Sequence, residues 1–206
     1  TARLLANFIE VAGADRLLTM DLHAGQIQGF FNIPVDELHA QPLLAEYFRS
    51  LNLPNPVVVA TDVGGAKGAR NVAERLGADL AIVDKRRVSN DEQADALNLI
   101  GDATDGDAII IDDEILTGGT VASALQLLRK HQARSIYVAC VHPLFAGAAF
   151  ERLDTAEISE LVYTDTVPVA EDTFQNVPTK LLSISALFGD AMHRIHTGGS
   201  VSELFR

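Results

Sequence analysis

The stretch "AIIIDDEILTGGTVASALQLLRK", Ala108–Lys130, joins two different hydrophobic patterns. An unbroken apolar run ends abruptly at Asp112 and Asp113. Then Thr117–Thr120, "TGGT", leads into a stripe of Val121, Leu125 and Leu128. The change from a continuous run to a helical period reads as a buried strand followed by a helix. A strand apolar on both faces belongs in a parallel sheet covered on both sides. The same alternation recurs along the chain. "RLLTMDL", "PVVVATD", "DLAIVDK", "SIYVACV", "ELVYTD" and "KLLSIS" read as strands. "QPLLAEYFRSLNL", "KGARNVAERLGA", a short piece near Ala148–Leu153 and "ALFGDAMHRIH" read as helices. The expected fold is therefore α/β, a mostly parallel sheet with helices on both faces.

Bulk properties narrow the function. The 206 residues fit one large domain, or one domain with pieces of another. A formal net charge of −12 disfavours a general nucleic-acid or anionic-membrane surface, since both need a positive field. It leaves open a small phosphorylated ligand, which backbone amides, local cations and a divalent metal can hold. No run of about 18 apolar residues suggests a membrane span. The single cysteine, Cys140, lies in an apolar run and reads as a small buried hydrophobe, with a reducing cytoplasm as the expected setting. At the start, Leu4, Leu5, Phe8, Ile9 and Ala12 form the stripe of an amphipathic helix that Gly13 ends. An opening at Thr1 suggests a processed or truncated chain, or one that has only lost its first residues.

Ligands in such sheets bind beyond the carboxyl ends of the strands. Four strand ends are unusually polar: "DLHAGQIQG", "TDVGGAKGAR", "DKRR" and "DDEILTGGT". In the last, a turn over Thr117, Gly118, Gly119 and Thr120 would present amides at the positive end of the helix, a seat for a phosphate. Asp112 and Asp113, acceptors only when ionised, suit the vicinal hydroxyls of a sugar. The bland alternative is a helix cap with acidic neighbours, which accounts for Thr117 but not for two carboxylates after an apolar strand. "DKRR" taken alone reads as a solvated charge cluster. His193 and His196, three apart on a helix, read as solvated, and His142 as hydrogen-bonded within its loop.

These motifs resemble the type I phosphoribosyltransferase fold. In order and spacing, "DLHAGQIQGFFNIPVDEL", "DVGGAKGAR", "AIVDKRR", "DDEILTGGT" and "SVSELF" resemble the ribose-phosphate pyrophosphokinases over essentially the whole chain. The resemblance implies transfer of the diphosphoryl group of ATP to the anomeric hydroxyl of ribose 5-phosphate. It implies Mg2+ near His23 and Asp62, a pyrophosphate loop at Asp62, Val63, Gly64 and Gly65, and catalytic cations at Lys85 and Arg87 on a mobile loop continuing into "VSNDEQ". Asp112, Asp113 and the Thr117–Thr120 turn would take the ribose 5-phosphate. Ser200 and Ser202 would contribute to a regulatory anion site between subunits, although an ordinary helix cap explains them equally well. ATP and ribose 5-phosphate are the implied partners, with no nucleic acid or membrane, in a cytoplasmic homo-oligomer of the family's hexameric kind.

Two departures qualify the resemblance. Leu116 stands where many members carry a further acid in the sugar loop. Members also have two similar domains in roughly 300 residues. Residues 1–35 are thus expected to end a truncated first domain and 36–206 to form the second, the last helix packing back on the first. Such a chain alone is expected to bind ribose 5-phosphate weakly and make little product. Competing readings are a phosphoribosyltransferase, which needs a nucleobase hood for which no insertion is present, and a silent regulatory relative, which retention of Lys85, Arg87, His23 and Asp62 disfavours.

Overall fold

The computed structural model describes residues 1–86, 96–154, 157–170 and 172–205. They form two compact units, Gln41–Ser183 and a second made of Thr1–Ala40 with Ile184–Arg206.

The larger unit is built on a seven-stranded sheet. Its strands are β3 (Pro56–Ala60), β4 (Asp79–Arg86), β5 (Ala96–Ile100), β6 (Asp107–Glu114), β7 (Ser135–His142), β8 (Glu160–Thr164) and β9 (Thr179–Leu182). The spatial order is β5-β4-β3-β6-β7-β8-β9. Every pairing is parallel except β4 with β5. Helices α2 (Gln41–Ser50), α3 (Ala66–Leu76), α4 (Gly119–Lys130) and α5 (Ala149–Asp154) connect and cover the strands. From β3 the chain passes through α3 to β4 on one side; from β6 it passes through α4 to β7 on the other. Right-handed crossovers in opposite directions put α3 and α4 on opposite faces. The packing agrees. Val121, Leu125 and Leu128 of α4 and Leu153 of α5 share a core with Val57, Val59, Ala108, Ile110 and Val138. Phe48 of α2 meets Tyr137, whose side chain leaves the other face, edge-on at 5.5–6.0 Å from its ring neighbours. Ala69, Val72 and Ala73 bury the inner side of α3, and left-handed Gly77 ends it, as its apolar spacing predicts.

One strand of this sheet escaped the sequence reading: β5, which runs antiparallel along β4 with Lys85 opposite Leu97. The strand is short and follows a highly charged run, so its period was hidden. β6 is also longer than its apolar run: Asp112 pairs with Cys140 and Glu114 with His142, so the acids belong to the strand.

At the opposite, amino end of β6, the central strand, the buried Asp107 ties together the starts of neighbouring strands. It accepts Arg134 Nε at 3.0 Å, a second bond from Arg134 Nη2, Ser135 Oγ at 2.6 Å and Asn55 N–H at 3.1 Å. Burial alone would raise its pKa, but these donors outweigh burial and hold the carboxyl below its ordinary value. A depressed carboxylate stabilises the fold above its unfolded pKa, and that stability is lost as pH falls through the folded value. Asp107→Ala is expected to lower stability by about 2 kcal/mol at neutral pH, less than for a fully buried pair because Arg134 can rehydrate. The loss should vanish in acid. A chemical-denaturation series across pH checks it; an equal loss at all pH values would refute the charge argument.

In the smaller unit, β1 (Leu17–Met20) and β2 (Val35–Leu38) form a parallel pair, Leu17 opposite Val35 and Met20 opposite Leu38. β2 gave no apolar signal because two of its four residues are acids; Asp36 takes Arg16 Nε at 2.5 Å. The unit also holds α1 (Ala2–Val11), α6 (Ser185–Thr197) and short 3-10 turns at Gly25–Phe30 and Val201–Phe205. The stripe expected to face inward on α1 does so only in part. Of its members Ile9 is half-buried, while Leu4, Leu5, Phe8 and Ala12 are exposed; the buried residue is Ala6, outside the stripe. Helical spacing defines an apolar face but supplies no partner for it. Among the described residues no helix is long and apolar enough to cross a membrane.

Candidate active site

The chain leaves neighbouring strands β3 and β6 in opposite directions, and this divergence opens a crevice at their carboxyl ends. The two loops beside it are 61–65 and 115–119. Ala60 is opposite Ile111, so Thr61 and Asp112 are the next residues of each strand. Thr61 is buried and donates its hydroxyl to Asp112 Oδ2 at 3.1 Å. Asp112 Oδ1 accepts the Asp113 amide at 3.0 Å, and Asp113 Oδ1 accepts the Glu114 amide at 3.0 Å. Both acids are half-buried at the rim rather than turned into the core. Burial, then the neighbouring Asp113 carboxyl, pushes Asp112 up to about 7, against the opposing pull of the Thr61 hydroxyl. At neutral pH the pair therefore carries less than two full charges, ready to accept hydroxyl donors or a cation.

The loop after the acids is anchored by buried Ile115 and rises to exposed Leu116 and Thr117. Gly118, at φ +71°, is left-handed and buried, so it turns the chain into α4 where a side chain would be strained. From Thr117 through Val121, no amide finds an acceptor among the described residues. A helix start leaves such donors open, and together they make an anion seat. In the other loop Asp62 Oδ1 accepts the Gly65 amide at 2.8 Å, leaving Val63 and Gly64 exposed on the rim. A Cβ on Gly64 would lie 3.2 Å from that oxygen, so the turn favours glycine there.

The remaining expected site residues are distributed as follows. Lys85 lies in β4, three residues past Ile82, the partner of Ala60. Its side chain, all of Arg87, and the "VSNDEQ" lid lie outside the described residues. His23 is in the smaller unit and Asp62 in the larger. His23 follows β1 in a loop tied down by Glu37, which accepts the Leu22 amide at 2.8 Å and the Gln28 side-chain amide. Ahead of it Asp21, at φ +38°, accepts the Ala40 amide at 2.8 Å and lies 2.9 Å from His39 Nδ1. Ser200 and Ser202 place their hydroxyls 2.9 Å apart, and Arg194 Nη1 reaches the Ser200 carbonyl at 3.1 Å. Cys140 is fully buried, and burial, then the nearby Asp112 and Asp113 charges, raises its thiol pKa, so it is an inert hydrophobe. His142 Nδ1 lies 3.0 Å from Thr166 Oγ1, and His193 and His196 are exposed. Thr61 was not legible as a partner of Asp112, because that contact joins residues that follow different strands.

With this geometry in view, known proteins are informative. The family described as "Phosphoribosyl synthetase-associated domain" matches residues 87–206. The chain belongs to the phosphoribosyl synthetase family. It is 44% identical over 205 residues to a ribose-phosphate pyrophosphokinase of Ralstonia nicotianae, covering 100% of this chain and 65% of that one. It is 46% identical over 205 residues to the Halalkalibacterium halodurans protein of the same name, covering 100% and 64%. The crystal structure of phosphoribosylpyrophosphate synthetase from Mycobacterium smegmatis superposes with a TM-score of 0.86 at 36% identity, over 96% of this chain and 64% of that one. This synthetase-family chain thus spans slightly less than two thirds of the relatives' length.

Proposed function

We propose that the protein transfers the diphosphoryl group of ATP to the anomeric hydroxyl of ribose 5-phosphate, giving phosphoribosyl pyrophosphate and AMP. The observation that carries this reading is the pairing, on one strand–helix junction, of rim carboxylates with five successive amides that have no acceptor among the described residues. Asp112 and Asp113 accept the 2- and 3-hydroxyls of the sugar, and Thr117, Gly118, Gly119 and Thr120 hold its phosphate. The anomeric oxygen then faces the neighbouring loop, where Asp62, Val63, Gly64 and Gly65 receive the transferred phosphates. Diphosphoryl transfer needs positioning and charge neutralisation more than covalent help. Lys85 and Arg87 supply cations for the charge that spreads in the transition state.

Mg2+ fits the donors available. Asp62 offers a second carboxylate oxygen with no partner among the described residues, and a hard cation prefers oxygen. Among the described residues no three His, Cys, Asp or Glu side chains form a metal cage. An ion held by Asp62 would draw its other ligands from nucleotide phosphates and water, as Mg2+ commonly does; His23, in the smaller unit, is the further residue that the family resemblance assigns to Mg2+. Bound there, it would neutralise phosphate charge.

On this reading residues 1–35 end one phosphoribosyltransferase-like domain and 36–206 form another. The two-stranded parallel pair β1–β2 supports only the first part of this, a sheet at the chain's start that belongs with more strands, since parallel pairs rarely stand alone; β2 itself runs past residue 35, to Leu38. Ser200 and Ser202 serve a regulatory anion, and the protein works as a cytoplasmic homo-oligomer. The test is AMP release that requires both ATP and ribose 5-phosphate, with the product identified by phosphorus NMR. The intact protein should form AMP and phosphoribosyl pyrophosphate one for one, whereas the 206-residue chain alone should turn over little. Consumption of phosphoribosyl pyrophosphate with a nucleobase would instead select a phosphoribosyltransferase. Ordinary turnover by the chain alone would refute the expectation that it makes little product.

A further inference from the structure

The loop between β6 and α4 is held from outside by the segment after β7. The Phe145 amide donates to the Ile115 carbonyl at 2.9 Å, the Ala146 amide to the Leu116 carbonyl at 2.6 Å, and Arg152 Nη1 to the Thr117 carbonyl at 2.8 Å. Three successive carbonyls therefore point towards one segment. All peptide bonds among the described residues are trans. In a planar trans peptide, a carbonyl and the next residue's amide point in opposite directions. The amides of Leu116, Thr117 and Gly118 are thus turned away from that segment. Beneath the loop, a Cβ on Gly118 would lie 3.7 Å from both Ala149 Cα and Leu153 Cγ. On Gly119 it would lie 3.9 Å from Arg152 Nη1.

The first two donors are main-chain groups that almost any sequence would supply. The third is a chosen side chain. Arg152 is exposed on α5, and among the described residues its guanidinium has no partner except the Thr117 carbonyl. A surface bond of this kind adds little to stability. Its consequence is orientation: it fixes the Thr117–Gly118 peptide, whose amide belongs to the anion seat.

We infer that Arg152 is a positioning residue for the phosphate of the sugar substrate, aiming the Gly118 N–H by gripping the carbonyl on the reverse of the same peptide. This rests on the sugar-phosphate reading of the loop. An anion loop held within a few tenths of an ångström binds better than one that must be ordered by its ligand. Thr117 and Gly118 touch the phosphate; Arg152 acts through them.

The test compares the intact protein with Arg152→Gln and Arg152→Lys. Arg152→Gln should raise the KM for ribose 5-phosphate about tenfold, the size of one well-placed charged hydrogen bond. The KM for ATP, kcat and Tm should stay near their parent values. Arg152→Lys, whose ammonium can still donate to the carbonyl, should shift the same KM only about threefold. KM does not depend on the amount of folded protein, so partial unfolding of a variant leaves the comparison valid. An unchanged KM for ribose 5-phosphate in both variants overturns the inference. So does an equal loss for both substrates with a falling Tm, which would make Arg152 merely structural. Calorimetric binding of ribose 5-phosphate to the parent separates the two levels. A parent that does not bind it overturns the site reading as well; a parent that binds it while the variants match it overturns this inference alone.

Discussion

Asp112→Asn is expected to raise the Tm of the larger unit at pH 8 while weakening ribose 5-phosphate binding about a hundredfold. The opposite signs come from one cause. Unfolded, Asp112 titrates near 3.8; in the fold, burial and the Asp113 carboxyl push it to about 7. Between those values the unfolded chain ionises while the folded one stays protonated. The group's contribution to stability therefore falls as pH rises through that window, and above it stays at its least favourable level. Asparagine cannot ionise, so it removes the loss; its one oxygen can accept the Asp113 amide while its NH2 donates to the Thr61 hydroxyl, which can accept as well as donate. Asp112 shares its burden with Asp113, so the gain at pH 8 should be about 1–2 kcal/mol, or about 3–6 °C. At pH 4 it should disappear. The sugar loses a charged acceptor, which is worth about 1.5–3 kcal/mol per hydrogen bond. The parent should show the complementary trend, binding ribose 5-phosphate more tightly as pH rises through about 7. Thermal melts and calorimetry at two pH values decide it. A variant no more stable at pH 8, or one that binds the sugar as the parent does, would show that these carboxylates are not a strained functional pair.

The sequence made the centre of the fold legible and its edges less so. β3, α3, β6, α4 and β7 combine continuous apolar runs with clear helical periods, because both faces of the sheet are covered. β2 and β5 carry weaker signals. One has two adjacent acids between its apolar ends, and the other follows a charged run. The acids of the site were found, but their depth was not: pairing with β7 carries β6 through Glu114. That extension brings Asp112 level with Thr61 and gives it a buried donor. Arg152 was equally invisible, since "AFERLD" reads as an ordinary short helix and its link to Thr117 spans two connections. Chemistry carried by one strand–turn–helix junction is readable from local pattern. Chemistry that depends on a neighbour across the sheet requires the sheet order first.

Lys85→Ala is expected to lower kcat about a thousandfold, with ribose 5-phosphate binding nearly unchanged. The backbone supports this role. β3 stops at Ala60, opposite Ile82, but β4 runs on to Arg86 with only β5 beside it. Three residues of strand span about 10 Å, so the β4–β5 ribbon carries Lys85 beyond the rim of β3. The crevice between the Thr61–Gly65 and Ile115–Gly119 loops opens at that rim. On the proposed function, the cation carried by that ribbon serves the phosphates in transit and not the sugar's hydroxyls. Charge that develops on the equatorial oxygens during transfer is stabilised most by donors already in place, and removing one commonly costs about 10²–10³ in rate. A ground-state ligand would act differently, raising KM for ATP with kcat preserved. Steady-state kinetics of Lys85→Ala in the intact protein, with both substrates varied, distinguish these cases. An unchanged kcat would favour a regulatory subunit over a catalytic one, because a protein that acts only through its assembly has no use for a cation held over the phosphate path.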